Sequence, residues 1–252
     1  MALPALSAAS KSCKPIVDSE GLQELINIED LLAGSQVLQD IADANGGHRA
    51  FGGGGHNATV DYLYDTLKET GYYDVVKQPF TELYAEASGT IKVNGEEIES
   101  TPMTYTPGGS ASGSVVHVAN LGCSADDFPA EVEGAIALVQ RGECPFGDKS
   151  LLGHAAGAKA VIIYNNESGE LSGTLGEPFG DYAPVMGISK EDGDVILAAL
   201  EKGEVDVDFE LDAVIENRVN YNVIAETKDG DHENVLILGG HSDSVPAGPG
   251  IK

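Results

Sequence analysis

Four consecutive apolar residues, Val235 to Leu238 in "NVLILGGHSDS", constrain this chain more than any other stretch. Strand side chains alternate between two faces, so a strand with no polar position has to be covered on both. That requirement belongs to layered α/β folds, with helices on each side of a sheet. A central strand is therefore predicted at 235–238, preceded by a second strand in "NRVNYNVIAETK". The glycine pair then opens into a loop that begins His241-Ser242-Asp243. Ligands in open α/β sheets gather where strands end at their carboxyl edge. A neutral imidazole is a good zinc ligand. Asp243 can accept a hydrogen bond from the ring nitrogen that holds no metal, fixing the tautomer. On spacing alone, a polar loop after a strand accounts for the same residues.

The segments upstream give the rest of the α/β pattern. Leu22, Leu25, Ile26, Ile28, Leu31, Leu32, Val37, Leu38, Ile41 and Ala42 recur at helical spacing. "NGGHRAFGGGG" breaks that run. "HNATVDYLYDTLKETG" then puts Val60, Leu63, Tyr64 and Leu67 on one helical face, with Asn57 or Thr59 as a cap and Gly71 as the stop. "YDVVKQPF" reads as a strand, and Asn94-Gly95 between alternating segments signals a tight hairpin. "TPGGSASGS" reads as a flexible break that opens a second module. That module holds the strands "GAIALVQRG", "AVIIYNN" and "APVMGIS", with helices in "DKSLLGHAAGAKA" and "KEDGDVILAALEKG". The mixture suggests a compact, β-rich α/β unit.

Charge narrows the partners. Forty-one acidic residues against fourteen basic ones give a formal net charge of −27. Such a surface repels phosphate backbones and anionic lipid, so nucleic acid is excluded as a partner. No apolar run reaches the length of a membrane span. The start, "MALPALSAASKSCK", reads either as the tail of a secretory signal or as a disordered lead. Asn57-Ala58-Thr59 and Asn166-Glu167-Ser168 fit the glycosylation acceptor pattern, which also arises by chance. Cys13, Cys123 and Cys144 contain no Cys-x-x-Cys pair. Cys123 and Cys144 are either two buried thiols or a bridge closing a loop of about 20 residues, which would contribute about 3 kcal/mol.

Several motifs fail on chemistry. "GECPFGDKS" departs from a phosphate loop because Asp148 displaces Lys149 and puts a carboxylate where phosphate would lie. "GGGGH" follows a helix and not a strand, so it is no dinucleotide fingerprint. His48 and His56 flank the glycine loop and could bind metal, but with nothing to fix their geometry they read as exposed loop residues; His117 and His154 read as structural. No Gly-x-Ser-x-Gly elbow is present.

Taken together, the segments resemble a known family. "VLILGGHSDSVPAGPGI" is similar to the first metal-ligand segment of the co-catalytic zinc aminopeptidases, the aminopeptidase Y-like peptidases. "GHNATVDYLYDTLKETGYYDVVKQPF" resembles the helix-strand entry of that family. "LGCSADDFP", "GAIALVQRGECPFGDKS" and "AAGAKAVIIYNNESG" resemble the protease-associated (PA) domain inserted in it. The family's Ser-Pro-Gly before the helix is Gly53-Gly54-Gly55 here.

The resemblance implies an α/β/α zinc-peptidase sheet lobe with an inserted β-rich PA domain. The implied organisation is a signal remnant or disordered lead over 1–18, peptidase lobe over 19–104, PA domain over 105–216 and peptidase lobe again over 217–252. It implies removal of N-terminal residues from peptide substrates, with two zinc ions activating a water. His241 would be a zinc ligand, Asp243 the acid that orients it, and Cys123 and Cys144 the PA-domain disulfide. The family continues "GPGI" with Asn-Asp-Asp-Gly-Ser-Gly, whereas Lys252 stands after Ile251 here. The expectation is thus a truncated lobe that cannot assemble the two-metal site, in a secreted or vacuolar protein. The alternative is a non-catalytic module whose PA domain contacts a peptide or protein.

Overall fold

The computed structural model describes residues 18–251; the lead segment with Cys13 and the signal-like stretch lies outside them. The chain divides into two compact units, Met1–Phe80 with Asn220–Lys252, and Thr81–Val219. Strands are β1 (Tyr73–Val93), β2 (Glu96–Ile98), β3 (Ser100–Pro102), β4 (Gly109–His117), β5 (Ile136–Gln140), β6 (Ala160–Tyr164), β7 (Val185–Ile188) and β8 (Asp206–Thr227). Helices are α1 (Ser19–Glu24), α2 (Ile28–Asp43), α3 (Gly54–Glu69), α4 (Phe146–Ala155) and α5 (Lys190–Leu200).

The unit Thr81–Val219 is organised by a mixed sheet of order β2-β1-β8-β4-β5-β6-β7-β3. Strands β4 to β7 are mutually parallel, and β8 and β3 flank them antiparallel. Here the double coverage demanded by apolar strands is realised. In β5, Ile136 and Leu138 enter one buried cluster while Ala137 and Val139 enter another. In β6, Ile162 and Val161 divide the same way. Ile196 of α5 and Phe209 of β8 belong to the first cluster; Phe128, Val132 and the flank of Phe146 in α4 belong to the second. Period-2 alternation thus feeds two cores from one set of strands.

The hairpin at Asn94-Gly95 forms as expected. Both residues have positive φ, 50° and 87°, and Val93 pairs with Glu96. These are the angles a two-residue primed turn requires. Cys123 and Cys144 are bonded, with S–S 2.08 Å and a sequence separation of 21. Lys149 is fully buried beside them and donates to the Leu121 carbonyl, 3.6 Å from Cys123 Sγ. Burial pushes its pKa down. The lysine of the failed phosphate-loop motif is a cation sealed inside the fold.

The other unit begins with capped helices. The Asp18 carboxylate accepts from Gly21 N–H at 2.8 Å, and the Asn27 side chain accepts from Asp30 N–H at 2.8 Å. Each satisfies an N–H left without a partner in the first helical turn.

Four expectations are corrected. The "TPGGSASGS" stretch is no flexible break: Gly109–His117 is β4, paired to β8 from Gly109↔Leu211 to Ser114↔Asp206. Helix α3 starts at Gly54 with Gly53 as cap, so Asn57 and Thr59 lie inside the helix and neither is its cap. The early apolar stripe is not a buried face, since Leu22, Leu25, Ile26, Ile28, Leu31 and Leu32 are all exposed; burial begins at Ala42 near the end of α2. Finally, 235–238 is not a strand. Val235 is 57% exposed, and Leu236, Ile237 and Leu238 are 86%, 83% and 86% exposed. A strand needs partners for its N–H and C=O groups, and no described strand pairs with this segment.

Candidate metal-ligand loop

The loop that follows is held through its two serines. The Ser242 hydroxyl meets His56 of α3 and the Ser244 hydroxyl meets Arg49 just before it, while His241 and Asp243 meet each other. His241 is the most open, its side chain 85% exposed. Its Nδ1 lies 3.1 Å from Asp243 Oδ1 and 3.1 Å from the Asp243 carbonyl oxygen. A carboxylate only accepts, so Nδ1 carries the proton and Nε2 is left with its lone pair.

The two serines are fixed by residues that the motifs did not single out. Arg49, 4% exposed, donates from Nε to the Pro249 carbonyl at 3.1 Å and from Nη1 to the Ser242 carbonyl at 2.5 Å. Its backbone N–H donates to Ser244 Oγ at 2.8 Å, and Ser244 N–H returns to the Arg49 carbonyl at 3.2 Å. Ala50 and Ser244 form an isolated parallel bridge.

His56 overturns the expectation of an exposed loop histidine. It sits in the first turn of α3, 5% exposed. Its Nε2 is 3.0 Å from Ser242 Oγ and its Nδ1 is 2.5 Å from Asn220 Nδ2. Asn220 Oδ1 already accepts from Tyr221 N–H at 2.8 Å, so its amide NH₂ faces the ring. Nδ1 must then accept and Nε2–H donate to Ser242. Burial lowers the His56 pKa, with the Asp243 carboxylate opposing and the Arg49 cation adding, which suits the neutral ring this geometry needs. Burial likewise lowers the pKa of Arg49, again opposed by Asp243.

The one local signal that could have revealed this network was the serine at each alternate position of "HSDS". The partners Arg49, His56 and Asn220 are far away in sequence and gave none. Gly55 permits the approach: a Cβ there would meet the His48 carbonyl oxygen at 2.2 Å.

The imidazole donor fits zinc in kind. It falls short in number, since catalytic zinc takes three protein ligands and an open position. Among the described residues, no three His, Cys, Asp or Glu side chains are grouped to hold a metal. His48 is half-buried, its Nδ1 accepting from Ala50 N–H at 3.3 Å. Asn57 is exposed on α3, but Thr59 is buried with its hydroxyl on the Gly55 carbonyl at 2.9 Å. Asn166 is exposed in the loop after β6.

Residues 111–196 match the family model described as PA domain. The chain is 51% identical over 243 residues to a protein named probable leucine aminopeptidase 2 from Aspergillus oryzae, covering 95% of this chain and 49% of that one. The structure is similar to an aminopeptidase from Aneurinibacillus sp. strain AM-1, with TM-score 0.64, 32% identity, and 89% of this chain against 55% of that one covered. It is also similar to a zinc aminopeptidase from Bacillus subtilis, with TM-score 0.61 and 28% identity, covering 86% and 52%. The chain is thus similar to aminopeptidases over most of its own length and contains a PA-domain match. It spans about half the length of the curated relatives it matches. Its mixed α/β architecture with a PA domain is the one these aminopeptidases share. Among the described residues, no helix is long and apolar enough to cross a membrane.

Proposed function

We propose that this chain supplies the PA domain and one metal-ligand segment of a zinc aminopeptidase that releases N-terminal residues from peptides. In this reading His241 is a zinc ligand through Nε2, and Asp243 holds its tautomer and orientation. The observation that carries the reading is the His241 Nδ1 to Asp243 Oδ1 contact at 3.1 Å, on the segment that resembles the family's first ligand sequence. The described residues provide one imidazole and its carboxylate, so the other ligands of a catalytic site would come from chain outside them.

The PA domain is proposed to span 105–216 and to offer a surface for peptide or protein contact. A secreted or vacuolar setting is proposed as well, supported by the Cys123–Cys144 bond and by the exposed Asn166 as a glycosylation site. Asn57 is proposed as a second site.

Assaying the native gene product for N-terminal residue release tests the activity. Activity abolished by chelation and by His241→Ala is the expected result. Activity that survives both would contradict the assignment.

A further inference from the structure

We propose that Arg49 and His56 are positioning residues that set the His241–Asp243 pair by gripping the serines that alternate with it in the same loop. The inference rests on the reading of His241 as a zinc ligand and adds the device that would aim it.

The geometry divides the labour cleanly. From residue 241 to 244 an imidazole and a carboxylate that meet each other alternate with two serines. Each serine meets a buried partner: His56 Nε2 at Ser242 Oγ, and Arg49 N–H at Ser244 Oγ. The Arg49 side chain then collects two loop carbonyls seven residues apart in sequence, Ser242 and Pro249. A planar fork can reach both at once, which a lysine cannot do. His56 is itself fixed behind by Asn220. Buried donors that have found partners are costly to strand, so the serine positions of the loop have one arrangement. Fixing Ser242 and Ser244 limits where their neighbours His241 and Asp243 can point. A loop without this grip would let the 85% exposed His241 sample both tautomers in water. Partners behind a metal ligand commonly matter by about 10–100-fold in metal affinity.

The test uses the 252-residue chain with Ser242→Ala, Ser242→Thr and Arg49→Met. Two readouts need no metal: the His241 ring tautomer by nitrogen NMR, and hydrogen exchange of Ser244 N–H. Ser242→Ala leaves both buried partners in place and removes only a half-exposed hydroxyl, so it keeps the test open should Arg49→Met fail to fold. The expected result is loss of the Nδ1–H preference of His241 and about tenfold faster Ser244 exchange in Ser242→Ala and Arg49→Met. Ser242→Thr, which keeps the hydroxyl, should behave as the parent. An unchanged tautomer and unchanged exchange in Ser242→Ala would overturn the proposal. Zinc chloride is then titrated against the His241 resonances, where Ser242→Ala should weaken binding about tenfold. If the tautomer responds as expected but zinc leaves His241 unmoved in the parent, the grip stands and the zinc reading fails.

Discussion

At the scale of single residues, His56 makes a testable statement about acid. Its folded pKa lies below the ordinary histidine value because of burial. An unfolded histidine titrates near about 6.5. In the interval below that value the unfolded chain binds more protons than the folded one. Stability tied to His56 is therefore present above about pH 6.5 and lost as pH falls toward the folded pKa. Denaturant unfolding between about pH 7.5 and about pH 5, which spans the ordinary histidine value, should show a parent protein that weakens more steeply than His56→Phe. Glycines divide just as plainly. Gly55→Ala should cost about 1–3 kcal/mol, because its Cβ would drive into the His48 carbonyl. Gly34→Ala, in open space on α2, should gain about 0.5–1 kcal/mol in thermal unfolding. The sequence showed the glycine cluster and the His-x-Asp pair. It did not show Arg49, or that His56 is a buried partner of the loop, since a contact across nearly two hundred residues leaves no local periodicity.

At the scale of elements, short-range rules read well wherever the neighbours were also in the chain. Asn94-Gly95 fixed a hairpin because only a primed turn matches strand twist. The strands β5 and β6 were legible as wholly apolar runs, and the two cores on either face explain why. "VLIL" carries the same signal and is not a strand, so composition alone cannot separate a strand that finds partners from one that does not. The glycine-serine run at 108–114 misled in the opposite direction. Its small side chains look like a linker, yet its backbone pairs with β8 over six registers. Two measurements weigh the core and its staple. Ile162→Ala should destabilise by about 2–5 kcal/mol, since it empties a fully buried site. Replacing Cys123 and Cys144 together by serine should cost about 3 kcal/mol in denaturant unfolding. Native stability after that double change would contradict the bridge as a constraint on the unfolded chain.

For the whole molecule, two compact units with unequal cores are the decisive feature. Thr81–Val219 contains both buried clusters, whereas the other unit exposes Leu22 to Leu32 and Leu236 to Leu238. Limited proteolysis should therefore leave a resistant core close to the PA match and its flanking strands, with early cuts in the exposed apolar stretches. Uniform resistance along the chain would contradict that ordering. The likeness to aminopeptidases runs through both units, over 95% of the chain, yet the metal donors gathered in the described residues amount to one imidazole and its carboxylate. Equilibrium dialysis of the purified chain against zinc, followed by elemental analysis, tests this most directly. The account predicts fewer than one tightly held zinc per chain, and weak binding that disappears in His241→Ala. Two zinc ions retained through dialysis, or binding undiminished by that substitution, would contradict it.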